Sequence, residues 1–524
     1  MEDTTTAHEG QTRIWVIGAL IGLLSGAVAI SVAQLASGLF GPGSSPVLAV
    51  GGSAIDATPE WLKSFAIRTF GASDKTALLT GIVLILIAAA IALGVVSMRR
   101  PRVGVFGLVV LGTIGALAAI TRPANTFAAA IPALVGMTAG LVTYGWLRRR
   151  AGLATPRSMS REPVPPPPAG FDRRRFLFGS AVAAGLAVTT GFVGEYLVRR
   201  SDATASRASV RLPGVADAGQ PTSPGADLGI PGAQPFITPN DDFYRVDTAL
   251  FVPAVKAEGW SLAVSGMVDH PLTITYEQLL ARPLIQRDVT LTCVSNDVGG
   301  RYAGNARWTG VRLKDLLDEA GIQPGVTQLV SRSTDGFTTG TPAPIALDGR
   351  DAMLAVAMNG EPLPLEHGFP VRMVIPGLYG YESACKWIAE IEATTYEAYS
   401  AYWVKRGWAE QALIQTSARI DTPRRGSKMA AGTVSVAGVA WAQHRGISGV
   451  DVQVDGGSWS PARLGTEDTV DTWRQWVFEW DATSGPHTIA VRATDGDGQV
   501  QTDELAPPFP SGATGLHTIT VDVT

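Results

Sequence analysis

The sequence predicts a multi-domain chain: a five-helix transmembrane region, then an α+β domain, then a C-terminal β-sandwich. Three observations lead there. Mean hydropathy is positive although 17% of the residues are charged, so a very apolar part is joined to an ordinary one, with the break near residue 200. From about 236, short strands and short helices mix without regular βα alternation. From about 430 helical spacing disappears, and short alternating runs are separated by glycine-rich turns. At 524 residues the chain has room for three or more domains.

Residues 1–200 form the expected membrane region. Five segments, near 14–38, 77–97, 103–121, 125–147 and 176–197, are apolar over about 20 residues, the length needed to cross a bilayer. None carries an ionisable residue near its middle. Gly18, Gly22 and Gly26, and likewise Gly136 and Gly140, recur every four residues, which suits close helix packing. Pro132 is expected to interrupt the fourth segment. Arginines set the orientation: Arg99, Arg100 and Arg102 follow the second segment, and Arg148, Arg149, Arg150, Arg157, Arg161, Arg173, Arg174 and Arg175 follow the fourth. Residues 41–75 instead balance Lys63, Arg68 and Lys75 against Asp56, Glu60 and Asp74. The arginine-rich loops are expected in the cytoplasm, and five crossings then put everything after residue 200 outside it. Pro163-Val-Pro-Pro-Pro-Pro168 reads as a stiff spacer. Asp172-Arg-Arg-Arg-Phe-Leu177 resembles a twin-arginine export signal placed before the last helix, though a plain positive-inside flank looks the same. The five segments hold no histidine, which excludes a bis-histidine haem within them. The absence of charge at mid-membrane depth argues for an anchor rather than an ion path.

Residues 201–235, rich in Ala, Gly, Pro and Ser, read as a tether. The α+β domain is expected over 236–425. Within it Trp260–Val268 and Val371–Ile375 read as strands, and Thr275–Ala281 and Leu313–Ala320 as short helices, the second ended by Gly321. The last domain spans 430–524. Val450, Val452 and Val454 alternate with polar residues up to a turn at Asp455-Gly-Gly457. Trp441, Trp459, Trp473, Trp476 and Trp480 are large side chains for a core. This texture predicts an immunoglobulin-like sandwich.

Asp288-Val-Thr-Leu-Thr-Cys-Val-Ser-Asn296 alternates as a half-buried strand and then loosens into glycines. Cys293 therefore sits where a rigid element meets a loop, a suitable place for a reactive group and equally for a small core residue. The other cysteine is Cys385, so a single Cys293–Cys385 disulfide is open. A net charge of −4, with no basic patch outside the membrane flanks, gives no footprint for nucleic acid.

Six stretches occur in order: Thr292-Cys-Val-Ser-Asn296, Gly304-Asn-Ala-Arg-Trp-Thr-Gly310, Met358-Asn-Gly-Glu-Pro-Leu-Pro364, His367-Gly-Phe-Pro-Val-Arg372, Ile375-Pro-Gly377 and Lys386-Trp387. Together they resemble the sulfite oxidase family of molybdopterin-dependent oxidoreductases, over roughly residues 236–520. The resemblance implies a molybdenum–molybdopterin cofactor, with Cys293 as the protein thiolate on the metal; soft sulfur suits such a metal. By the same resemblance the pterin is held by Tyr244, Arg245, Asn296, Arg307, His367, Arg372, Ser383 and Lys386, Arg372 being able to grip a phosphate with two nitrogens. Arg245, Trp308 and Arg445 would shape the substrate entrance beside Cys293.

The chain departs from the family's pattern at that entrance. Asp297 and Val298 stand where arginines are expected, and Phe337 stands at the catalytic tyrosine position. An acid there weakens the attraction for a dianion such as sulfite. The implied function is oxygen-atom transfer at an extracytoplasmic molybdenum centre, on sulfite or a related small oxyanion. A sulfoxide-type reductase, or a metal-free membrane-anchored binding or scaffold protein, are the alternatives. The family's haem module is absent from the sequence, so a separate cytochrome or quinone system is the expected electron carrier. The last domain resembles the family's dimerisation domain, which implies a homodimer.

Overall fold

The computed structural model describes residues 2–40, 42–59, 62, 74–122, 126–153, 173–199 and 203–524. The polyproline run 163–168, Asp172, Arg157, Arg161, Glu60, Lys63 and Arg68 lie outside the described residues. The chain divides into two compact units, Met1–Ser201 with Ala249–Phe251, and Asp202–Thr248 with Val252–Thr524.

The first unit contains helices α1 (Glu2–Phe40), α2 (Pro46–Ala57), α3 (Asp74–Arg99), α4 (Pro101–Ile120), α5 (Ile131–Arg150) and α6 (Arg173–Arg199). Five stretches are long and apolar enough to cross a membrane: Ile14–Phe40, Lys75–Arg99, Pro101–Ile120, Phe127–Arg150 and Arg173–Gly194. The glycines do what their spacing suggests. A Cβ on Gly22 would run into the Ala90 carbonyl of α3, and one on Gly136 into the Ala29 carbonyl of α1. Pro132 does not interrupt its segment. It lies in the first turn of α5, where the missing N–H leaves no bond unmade. Helix α2 was not anticipated; its apolar part, Pro46–Ile55, is too short to span. Arg148, in the last turn of α5, is buried and donates to the Ser97 carbonyl at 2.9 Å, tying α5 to the end of α3.

The second unit opens with α7 (Ala203–Ser209). The residues read as a tether are in fact bound down. Ala216 and Asp217 donate backbone N–H groups to the Leu284 carbonyl. The Asp217 carboxylate pairs with Arg287 at 2.6 Å and Arg312 at 2.9 Å, and both arginines also pair with Asp351. The composition of a linker is compatible with an ordered strap when neighbouring strands supply the hydrogen bonds that the strap cannot make to itself.

The α+β domain contains β1 (Ser261–Gly266), β2 (Leu272–Thr275), α8 (Tyr276–Leu280), β3 (Leu284–Thr292), β4 (Ala303–Arg312), α9 (Leu313–Ala320), β5 (Gln328–Ser333), β6 (Thr338–Pro342), α10 (Ala343–Leu347), β7 (Met353–Met358), β8 (Glu361–Pro362), β9 (Arg372–Val374), α11 (Gly380–Ser383) and β10 (Ile388–Thr394). They make two sheets, ordered β2-β1-β10-β5-β6 and β3-β4-β7-β8, with β9 added on β7. Thr275 and Gln278 cap α8 reciprocally, and Gly321 ends α9 in the left-handed region at φ 68. One core, including Leu262, Leu291, Trp308, Leu316, Met353 and Ile391, fills the space between the sheets and helices.

The C-terminal domain is an immunoglobulin-like sandwich of β11 (Ser417–Thr422), β12 (Lys428–Met429), β13 (Gly432–Trp441), β14 (Ile447–Val454), β15 (Ser460–Pro461), β16 (Arg463–Leu464), β17 (Arg474–Ala482), β18 (Gly485–Asp495) and β19 (His517–Val523). Its sheets are ordered β11-β13-β17-β16 and β12-β19-β18-β14-β15. Trp476 and Trp480 lie in its core. Trp441 and Trp473 instead join Phe236, Val294 and Tyr379 in a cluster that bonds this domain to the α+β domain. Trp459 is outside the core cluster: it is half-buried, with the Arg492 guanidinium 4.4 Å above its ring.

Asn305 is fully buried and links three segments. Its Nδ2 donates to the Phe236 carbonyl at 3.0 Å, and its Oδ1 accepts from Thr290 Oγ1 at 3.0 Å. Asn305→Ala should lower the stability of this unit by about 2–3 kcal/mol, the value of two buried hydrogen bonds, read as a shift in the chemical-unfolding midpoint followed by tryptophan fluorescence. An unshifted midpoint would show that the bonds add nothing net.

Candidate active site

Nine paired residues of β3 run antiparallel to β4, from Leu284 opposite Val311 to Thr292 opposite Ala303. The strand is buried over its last five residues. Cys293 follows directly, and its N–H donates to the Tyr302 carbonyl at 2.9 Å. Asn296 closes the loop, its Oδ1 accepting from the Tyr302 N–H at 2.7 Å. The Cys293 thiol is partly exposed and lies 2.9 Å from Ser295 Oγ. Cys293 and Cys385 are both free thiols, so the disulfide left open by the sequence is not formed. Burial pushes the Cys293 thiol above its usual range, while the Ser295 hydroxyl and the Lys386 ammonium oppose that shift.

Four further residues from separate elements form one linked cluster, whose Lys386 ammonium acts on this thiol. Arg372 opens β9, His367 ends the 3-10 turn Leu365–His367, Lys386 precedes β10, and Arg245 lies upstream of the first sheet. The His367 ring contacts Phe243 edge-on at 5.5 Å, and its Nε2 lies 3.1 Å from the Asn240 carbonyl, which fixes that nitrogen as the donor. Burial, then Arg372 and Lys386, bring its pKa down to about 4, so the imidazole is neutral. Lys386 Nζ pairs with Asp247 at 2.9 Å, and Arg245 Nε pairs with the same carboxylate at 2.7 Å. Burial lowers Lys386 to about 8 against the pull of Asp247. Arg372 is buried; its NH1 donates to the His367 carbonyl at 3.1 Å, and its guanidinium lies 4.9 Å from the centre of the Trp308 ring. Among the described residues it forms no ion pair. Tyr244 is linked electrostatically to both Cys293 and Arg372, and burial holds its phenol protonated.

This donor set fits a molybdopterin. Arg245 and Lys386 share one carboxylate, Asp247, and Arg372 meets only carbonyls, which leaves the cluster with unbalanced positive charge. A buried guanidinium without a carboxylate is costly unless an anion completes it, and the cofactor's phosphate is such an anion. The free thiol at the strand end is a soft donor of the kind such a metal would take.

The other residues picked out from the sequence lie elsewhere or are engaged. Arg307 turns to the opposite face of β4, where Nε and NH2 each bond the Asp288 carboxylate at 2.7 Å. Trp308 does not reach an entrance: it is fully buried and donates Nε1 to the Val289 carbonyl at 3.1 Å. Arg445 pairs with Asp495 at 3.1 Å and donates to the Ile414 carbonyl at 2.9 Å. Ser383 Oγ donates within its own turn, to the Leu378 and Tyr379 carbonyls. Phe337 packs edge-on against Tyr402 at 5.5 Å. Sequence reasoning overlooked Asp247, Ser295 and Tyr379. Asp247 had a signal, because residues two apart on an extended segment share a side and Arg245 is so placed; Tyr379 had none. Glu382, beside Ser383, is a buried carboxyl raised to about 9 by burial, accepting only from the Ala412 N–H.

Fold and site together define a molybdopterin-binding oxidoreductase joined to an immunoglobulin-like domain. Residues 249–403 match the oxidoreductase molybdopterin binding domain, and 417–491 the bacterial Ig domain. Human mitochondrial sulfite oxidase is 31% identical over 322 residues, covering 52% of this chain and 58% of that protein. Chicken (Gallus gallus) sulfite oxidase is 30% identical over 326 residues, 52% of this chain and 70% of that protein. The uncharacterized oxidoreductase YuiH of Bacillus subtilis is 36% identical over 149 residues, 28% of this chain and 72% of that protein. The chain belongs to the sulfite oxidase family of molybdopterin oxidoreductases. It spans little more than half the length of its human relative.

The neutral state of His367 has a measurable consequence. In the unfolded chain the imidazole protonates below about 6.5; in the folded protein it does so only near 4. Its contribution to stability is therefore complete above pH 6.5 and is lost as pH falls toward 4. His367→Gln should flatten the fall of the unfolding midpoint across that interval. An unchanged slope would mean that the folded imidazole is not held neutral.

Proposed function

We propose that this chain is a membrane-anchored molybdopterin oxidoreductase that transfers an oxygen atom to or from a small substrate outside the cytoplasm. The observation that carries the reading is the free Cys293 thiol, acted on by Lys386 of a cation cluster (Arg245, Arg372, Lys386) that has too little negative charge of its own. When bound, the molybdenum–pterin group supplies two-electron redox chemistry coupled to oxygen-atom transfer. Cys293 holds the metal at the end of a strand that cannot shift. Arg372 and Lys386 hold the pterin's anionic end, while His367, as a neutral donor, and Tyr244 and Arg245 border it. Asn296 keeps the Cys293 loop closed, and Ser383 shapes the turn before Lys386.

Sulfite, or a related small oxyanion, is the first substrate class. A neutral sulfoxide is the second, favoured by one feature of the entrance. Asp297 is four residues after Cys293 and lines a small cavity with Thr292 and Asn296, while Arg307 and Arg445 are already paired with carboxylates, so the attraction for a dianion is weak. The electrons pass between this enzyme and a separate carrier, a small cytochrome or a membrane quinone. Pairing of two chains through the immunoglobulin-like domains is compatible with an anchor on each.

Purified protein from a host that makes the cofactor should contain molybdenum and turn over sulfite or dimethyl sulfoxide. Cys293→Ser should lose that turnover while keeping its circular dichroism; a fully active variant would remove Cys293 from the metal. A phosphatase reporter joined at residue 235 should be active and one joined at residue 100 inactive, the reverse pattern placing the catalytic unit in the cytoplasm.

A further inference from the structure

We infer that His487 is a pH-sensitive latch at the far end of the immunoglobulin-like domain, fastening two turns to each other only while its imidazole carries two protons. The latch lies apart from the cation cluster and Cys293, and nothing in it depends on the function proposed above.

One end of the sandwich meets the α+β domain: Gln443 follows β13, Asp471 and Trp473 precede β17, and all three bond Thr290. At the other end Gly432 pairs with Ala482, and Val454 pairs with Ile489. Two turns meet there. Asp455 follows β14, and Thr483 lies in the connection from β17 to β18. His487 of β18 reaches both. Its Nδ1 lies 2.6 Å from one Asp455 carboxylate oxygen, and its Nε2 lies 2.8 Å from the Thr483 carbonyl. Asp455 is itself pinned at φ 51, in the left-handed region. Its N–H donates to the Thr488 carbonyl at 2.8 Å, and its second carboxylate oxygen accepts from the Thr488 N–H at 2.7 Å. Trp480, from the opposite sheet, packs edge-on against the imidazole at 4.9 Å.

A carboxylate and a carbonyl can only accept. A neutral imidazole has one N–H and one lone pair, so it satisfies one of these oxygens and turns its lone pair on the other. The imidazolium has two N–H groups and satisfies both. Asp455 stays ionised: burial works against it, but the Thr488 N–H and His487 hold its carboxyl below the usual value. Among the described residues Asp455 is the one charged group that acts on the ring. The other elements packed there present Trp480 from β17 and Val521 opposite on β19. Asp455 and then the Thr483 carbonyl raise the imidazole above its ordinary value, against a smaller opposing effect of burial. The latch therefore contributes fully below the unfolded value of about 6.5, and its contribution is lost as pH rises through the higher folded value. The proton leaves to solvent, and one of the two bonds is lost with it.

Hydrogen–deuterium exchange of the full-length protein, read by mass spectrometry and corrected for the intrinsic rate at each pH, reports on this end directly. Protection of the peptides around Asp455 and Thr483 should fall severalfold between about pH 6 and about pH 9. Peptides at the other end of β13 and β17 should keep theirs. His487→Gln has no proton to lose, so its turns should be weakly protected at both pH values. Asp455→Asn keeps an acceptor for Nδ1 without the charge, and should move the fall to lower pH. Wild-type protection that does not change with pH, a fall of equal size in His487→Gln, or an unshifted fall in Asp455→Asn would overturn the latch.

Discussion

The site depends on strand β3 being unable to slide. Three residues before Cys293, Thr290 is tied on each side to a different part of the chain. The Thr290 N–H donates to the Asp471 carbonyl at 3.0 Å, its hydroxyl accepts from the Trp473 N–H at 2.7 Å and donates to Asn305, and its carbonyl accepts from Gln443 Nε2 at 3.0 Å. A slip of one residue would turn every buried side chain to the wrong face and orphan all of these groups at once. The immunoglobulin-like domain thus does more than stand beside the α+β domain. It supplies Asp471, Trp473 and Gln443 to the strand that positions the thiol.

A rigid thiol is useful only in the right field, and the field here is deliberately incomplete. The fold accommodates Arg372 with a carbonyl and the face of Trp308, and shares Asp247 between Arg245 and Lys386. Fully paired, these cations would be structural and inert. Left short of negative charge in a poorly solvated place, they favour an anionic guest. His367 follows the same logic in reverse: it is held neutral by its cationic neighbours and so stays a hydrogen-bond donor rather than adding repulsion.

Legibility differed by residue type and for stated reasons. Hydrophobic patterning exposed the long apolar helices, β3 and the sandwich, because it is a property of each segment by itself. Arg307 and Trp308 were read together as site residues, yet neighbours on a strand point to opposite faces. One meets Asp288 and the other the core. Arg445 was read as a pocket residue from the family resemblance; its partner Asp495 lies fifty positions away, and only the fold brings them together. Residues 203–235 look like a tether by composition, and the hydrogen bonds that order them come from β3 and from the last domain.

By itself, the sequence determined the class of this protein. Apolar runs set the long apolar helices, alternation set the strands, and six short motifs in register marked a molybdopterin enzyme. Those features are local or ordered along the chain, so they survive without coordinates. Only the tertiary structure decided which arginines meet a carboxylate, as Arg307 and Arg445 do, and which meet only carbonyls, as Arg372 does. Ion pairs and hydrogen bonds form between residues distant in sequence, and whether a charged or polar group is available depends on the partner that folding places beside it.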